Sequence, residues 1–71
     1  MNVENLVHKI SSEFGFSKAL SDRIFKFIIQ QVKLELRNGL RVRFRNFGSF
    51  ISKISHGKKR AIFDDSKNFF T

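Results

Sequence analysis

Arg41, Arg43 and Arg45 alternate with Val42 and Phe44. Side chains along a β-strand point to opposite faces in turn, so the three guanidinium groups share one face and the two apolar residues the other. A guanidinium is a planar, permanently charged fork that matches phosphate oxygens in pairs. Like charges at strand spacing repel, and an anionic partner relieves that repulsion. The chemistry these residues offer is therefore the holding of a polyanion. Lys53, Lys58, Lys59 and Arg60 extend the basic region, and Asn46 adds an amide and turn N–H groups that suit a phosphate oxygen. The competing reading is a solvated sheet face, because half-exposed strands normally carry charge outward.

Catalytic and metal chemistry find little support. His8 and His56 lie far apart in sequence and neither has a carboxylate-and-nucleophile set nearby. There is no glycine-rich phosphate loop, no acidic cluster for a metal and no cysteine. The expectation is a protein without enzyme activity, cofactor, metal or small-molecule substrate.

The charge is unevenly spread. Of the net +8, residues 1–36 contribute +1, residues 37–60 contribute +8 and residues 61–71 contribute −1. A one-sided basic field of this kind is the footprint of a polyanion partner, the alternative being a merely soluble basic protein. The longest apolar run is three residues, against about 20 needed to span a bilayer, so no membrane segment is expected. A cytoplasmic, nucleoid-associated location fits these features.

Three elements must position the arginines. Residues 3–14 have Leu6, Ile10 and Phe14 at helical spacing, Asn2 as N-cap and Gly15 as stop. Ser17 opens a second helix over residues 18–37, in which Leu20, Ile24, Ile28, Val32 and Leu36 form one row and Phe25, Phe27, Ile29 and Leu34 broaden it. A helix apolar over so much of its surface is buried in an assembly. Asn38-Gly39 ends it, and the period then changes from 3.6 to 2.

Leu40 to Arg45 reads as a first strand, Ser49 to Ile54 as a second and Lys59 to Phe63 as a third. Gly48 is taken as the turning point between the first two, and Ser55-His56-Gly57-Lys58 as a tight hairpin between the second and third. Phe44, Phe47, Phe50 and Phe63 are assigned to the core rather than to base stacking, on the face opposite the arginines. Asp64-Asp65-Ser66 then caps a last helical turn over residues 67–71. The fold class is α+β: two helices, a three-stranded antiparallel sheet and a short C-terminal helical turn. As one domain, the chain divides into a helical dimerisation part (1–39), a sheet with a short hairpin (40–64) and a vestigial C-terminal helix (65–71).

A chain of 71 residues without disulfides or metal gains its missing burial from a partner, and ten phenylalanines favour an aromatic core or interface. Ile24, Ile28, Val32, Phe44, Phe47, Phe50 and Phe63 are the expected dimer and core residues.

The break Gly15-Phe16-Ser17-Lys18, the stop Asn38-Gly39, the strand Arg41 to Arg45 and the turn Asn46-Phe47-Gly48-Ser49-Phe50 together resemble the HU / integration host factor family of bacterial DNA-bending proteins. The resemblance runs without a gap from Met1 to Phe50, and Phe63 and Lys67 look like the residues flanking the family's last helix. It implies an intertwined dimer with a helical base, and a DNA-facing sheet surface at the positions of Arg43 and Arg45. The family turn is usually Gly-Phe-Gly-(Ser/Thr/Asn)-Phe, and Asn46 replaces its first glycine. The family also carries long β-arms tipped by an intercalating proline. This chain has no proline, and His56 to Arg60 stands where the arm begins. Asp64 and Asp65 replace the basic residue and proline that precede the family's last helix.

The resulting expectation is non-specific binding of double-stranded DNA by a histone-like homodimer, with reduced or no bending. The alternative is a dimerisation or regulatory module that has lost DNA binding and pairs with a full-length relative. RNA or single-strand binding is a further alternative.

Overall fold

The computed structural model describes Met1–Thr71. The order of elements is α1 (Val3–Phe14), α2 (Lys18–Arg37), β1 (Val42–Phe44), β2 (Gly48–Ser55) and β3 (Lys58–Asp65). The chain forms two compact units, Met1–Gln30 and Gln31–Thr71.

In the first unit, each helix boundary has a physical cause. The Asn2 side chain accepts the Asn5 N–H at 2.8 Å, satisfying one of the donors left free at a helix start. Gly15 ends α1 in the left-handed region and gives its N–H to the Ser11 carbonyl. The Ser17 hydroxyl oxygen then accepts the Leu20 N–H at 3.1 Å and opens α2. Ser21 is fully buried and satisfied, because its hydroxyl donates to the Ser17 carbonyl at 2.9 Å. Val7 is the buried apolar residue of α1, while Phe14 stacks on Phe16 with ring centroids 6.0 Å apart and stays exposed.

In the second unit, α2 ends in a paired carbonyl motif. The Leu40 N–H reaches the Glu35 carbonyl at 3.0 Å and the Gly39 N–H reaches the Leu36 carbonyl at 3.0 Å. The chain then enters an antiparallel sheet of order β1-β2-β3. The register pairs Val42 with Phe50, Arg43 with Ser49 and Phe44 with Gly48. Across the second ladder, Phe50 pairs with Phe63, Ile51 with Ile62, Ser52 with Ala61 and Lys53 with Arg60.

Three expectations are corrected. The turn between β1 and β2 is made at Asn46, not Gly48: Phe47 N–H bonds the Phe44 carbonyl at 3.1 Å, and Asn46 takes the positive φ of 59°. Asparagine tolerates that region because its short polar side chain bonds locally. Gly48 is instead the first residue of β2, at φ 150°, pressed against β3. A Cβ there would meet the Asp64 carbonyl oxygen at 2.5 Å and the Phe63 ring at 2.8 Å.

The second correction concerns the end of the chain, where no helix forms. Residues 67–70 are hydrogen-bonded turns, with Phe69 N–H bonding the Ser66 carbonyl and Thr71 N–H bonding the Asn68 carbonyl. Five residues beyond the cap give too few i→i+4 bonds to offset helix nucleation. The Ser66 oxygen still caps the turn, accepting the Asn68 N–H at 3.1 Å.

The third correction concerns the strand bounds. β1 is only three residues long, while β2 and β3 each extend to eight. The β2–β3 ladder stays in register until Ser55 pairs Lys58, leaving His56 and Gly57 as a two-residue turn. Both have positive φ, 51° and 75°, as a mirror-image turn matched to strand twist demands.

Candidate nucleic-acid interface

The register sorts the side chains of the sheet onto two faces. One face carries Val42, Phe44, Phe50 and Phe63, with Phe47 and Phe69 joining from the turn and the tail. Phe47 lies 5.0 Å from Phe63 and 5.1 Å from Phe69 by ring centroids, and Phe50 lies 5.1 Å from Phe63. These tilted and edge-on contacts suit the aromatic quadrupole. The cluster is not sealed within one chain, since Phe44, Phe47 and Phe63 remain about two-fifths exposed.

The opposite face carries Arg43, Ser49 and Asp64 in one row, Ile51 and Ile62 in the next, Lys53 and Arg60 in a third, and Ser55 and Lys58 at the hairpin. Arg43, Lys53, Lys58 and Arg60 are all exposed. The chain has one ion pair, Lys26 with Asp22 at 2.8 Å on α2. The four cations of the sheet face therefore have no internal counter-ion. Lys53 and Arg60 stand directly opposite each other, a like-charge cross-strand pair that an external anion stabilises.

The remaining candidates divide. A shallow concavity beside the Asn46 turn is lined by Arg43, Arg45, Asn46 and Ser49, together with Asp64 and Ser66. Arg41 lies just outside β1 and is exposed. Lys59, grouped in the sequence with Lys58 and Arg60, lies on the other face. Its ammonium donates to the Arg37 carbonyl at 2.8 Å and caps the end of α2, where a positive charge is favourable. Three consecutive basic residues in a strand cannot share one face.

Sequence reasoning ended the third strand at Phe63 and so missed that Asp64 shares the basic face. The signal was the two-residue hairpin, which fixes the parity of β3 against β2. Among the expected interface residues, Ile28 is about half exposed, while Ile24, Val32 and Phe50 are partly buried. No group of three or more histidine, cysteine, aspartate or glutamate side chains comes together as a metal site. No helix is long and apolar enough to cross a membrane.

The family model described as "Bacterial DNA-binding protein" matches residues 1–64, and the chain belongs to that family, the family of HU. Among solved structures, a single-site mutant of HU from Thermotoga maritima matches with a TM-score of 0.82. That match has 24% sequence identity and covers 96% of this chain and 92% of that one. This likeness establishes the fold of two helices followed by a three-stranded antiparallel sheet. A search of the curated proteins finds no match.

Proposed function

We propose that the protein binds double-stranded DNA without sequence preference, as a homodimer, through the sheet face that carries Arg43, Lys53, Lys58 and Arg60. The observation that carries this reading is four exposed cations on one face without an internal counter-ion, in a chain of a DNA-binding family. Backbone contacts of this kind neutralise phosphates and release condensed counterions, and carry no sequence information. Arg45 and Asn46, at the concavity by the turn, and Arg41 beside β1 extend the surface.

The hairpin limits what the interface does to DNA. β2 and β3 close at His56-Gly57, so no arm reaches round the duplex, and the chain has no proline to insert between base pairs. Binding is accordingly weaker than an embracing grip and leaves the duplex little bent. A nucleoid-associated, histone-like role follows from non-specific backbone binding.

The dimer is supported by apolar side chains left exposed in each unit. Leu20, Phe27, Ile28 and Ile29 are exposed in the first unit, and Phe44, Phe47 and Phe63 in the second. In this reading residues 1–39, which hold Leu20, Phe27, Ile28 and Ile29, form the helical dimerisation part, and residues 40–64 form the DNA-contacting sheet, whose aromatic face adds Phe44, Phe47 and Phe63 to the contact between copies. A second reading keeps the dimer and drops the DNA. It is favoured by Asp64, whose carboxylate shares the row of Arg43 and repels phosphate. The chain then pairs with a full-length relative and modulates it.

Comparing substitutions on the two faces separates these readings. Lys53→Ala with Arg60→Ala weakens binding to linear duplex at low salt by more than tenfold, while Lys59→Ala, on the other face, leaves it within about twofold. Equal affinities for all three proteins show that this face is not the binding surface, and no binding at low salt selects the module that does not bind DNA.

A further inference from the structure

β3 is an edge strand of eight residues, every one of them exposed. Its outer N–H and C=O groups have no strand beside them, a template for pairing with another chain. Its sequence, Lys58-Lys59-Arg60-Ala61-Ile62-Phe63-Asp64-Asp65, is basic at one end, apolar in the middle and acidic at the other. Natural edges are commonly guarded by charges, which repel an identical strand when they share one sign. Here the two signs sit at opposite ends, so an antiparallel copy meets opposite charge at both.

We propose that β3 pairs edge to edge with β3 of a second copy, antiparallel and about a two-fold axis through Ile62, joining two sheets into one. This register keeps the two faces continuous, because partner residues in an antiparallel pair point to the same side. On the basic face Arg60 meets Asp64 of the second copy, Ile62 meets Ile62, and Lys58 meets Ser66. On the aromatic face Lys59 meets Asp65 of the second copy and Ala61 meets Phe63. Each charge pair occurs twice by symmetry.

Neighbouring registers are poorer. With Ala61 on the axis, Lys58–Asp64 is the one opposite-charge pair type within the strand. With Phe63 on the axis there is none, because Arg60 meets Ser66 and the aspartates face Ala61 and Ile62. Arg60 stands beside Lys53 across β2 and has no carboxylate within its own chain, so the incoming Asp64 offsets a like-charge contact. Lys59 donates one hydrogen bond to the Arg37 carbonyl and keeps two further N–H donors for Asp65. The centre is apolar and open, with Ile62 and Phe63 each more than one-third exposed.

The edge uses the outer backbone groups of β3, whereas the base dimer proposed above uses apolar side chains of α2 and of the aromatic face, Phe63 among them. A dimer presents two β3 edges, and their isologous pairing links dimers into an open row in which the basic faces run on from copy to copy. The pairing itself does not depend on DNA binding. The open row does rest on the base dimer, and Ile28→Glu separates the two, because edge pairing alone then leaves a two-chain species.

The test is sedimentation of the DNA-free protein at low salt over a rising concentration series. Wild type is expected to grow past the base dimer with concentration and to fall back to it at high salt. The Asp64→Lys/Asp65→Lys variant and the Lys59→Asp/Arg60→Asp variant each stop at the base dimer. Mixing the two restores growth, because every charge pair across the edge is then opposite in sign. The fourfold exchange Lys59→Asp/Arg60→Asp/Asp64→Lys/Asp65→Lys grows as wild type does, so a variant that loses its fold is told apart from one that loses its edge. A wild type that never passes the base dimer overturns the proposal. Reversed variants that associate like wild type, or a folded mixture that fails to restore growth, overturn it as well.

Discussion

Four residues with positive φ, Asn46, Gly48, His56 and Gly57, decide how the strands meet. Asn46, at 59°, turns the chain from β1 into β2, a position where glycine or asparagine is at home. Gly48 is needed for space as well as for its φ of 150°, since a Cβ would strike the Asp64 carbonyl and the Phe63 ring. Gly48→Ala is therefore expected to lower stability by roughly 1–3 kcal/mol, read as a lower urea midpoint with an unchanged slope. A substitution without effect would show that β3 moves aside freely. His56 holds φ 51° at the first central position of the hairpin, where asparagine is preferred. His56→Asn is expected to raise stability by about 0.5 kcal/mol, checked by the same titration.

At the scale of elements, both helices were legible in the sequence because their ends carry local chemistry. Asn2, Gly15, Ser17 and Gly39 are caps whose hydrogen bonds involve near neighbours, and α1 and α2 begin and end where those residues indicate. The hairpin was legible for the same reason, as His56-Gly57 is a self-contained turn signal. The turn at Asn46 was misread because two candidates for positive φ, Asn46 and Gly48 on either side of Phe47, look alike until the approach of β3 is known. Lys59 was misplaced because charge was read as a cluster, whereas strand parity sends alternate residues to opposite faces. Its bond to the Arg37 carbonyl joins residues 22 apart in the chain and leaves no mark in the local sequence. The closed hairpin makes a prediction of its own. Duplex labelled at both ends is expected to show little change in end-to-end energy transfer when the protein binds, whereas a large change would mean that another part of the chain bends the DNA.

For the whole molecule, one chain leaves much of its apolar surface uncovered. Val7 and Leu36 are its buried apolar side chains, while Phe27 is 61% exposed and Ile28 48%. Apolar burial contributes about 25 cal/mol per Å², so covering these side chains in a second copy is a substantial stabilising term. Ile28→Glu is expected to break the base dimer, giving monomer in sedimentation at high salt, where edge pairing is screened, and to lower the thermal midpoint in calorimetry. An unchanged dimer would move the interface away from that part of α2.

Binding of a linear duplex across a salt series tests the sheet-face account most directly. Arg43, Lys53, Lys58 and Arg60 in each of two chains account for about −7 in the slope of log affinity against log salt, at about −0.9 per phosphate contact. The account predicts a steep slope approaching that value, reduced by about half in the Lys53→Ala/Arg60→Ala protein. A shallow slope in the wild type, or a slope that the double substitution leaves unchanged, would contradict it.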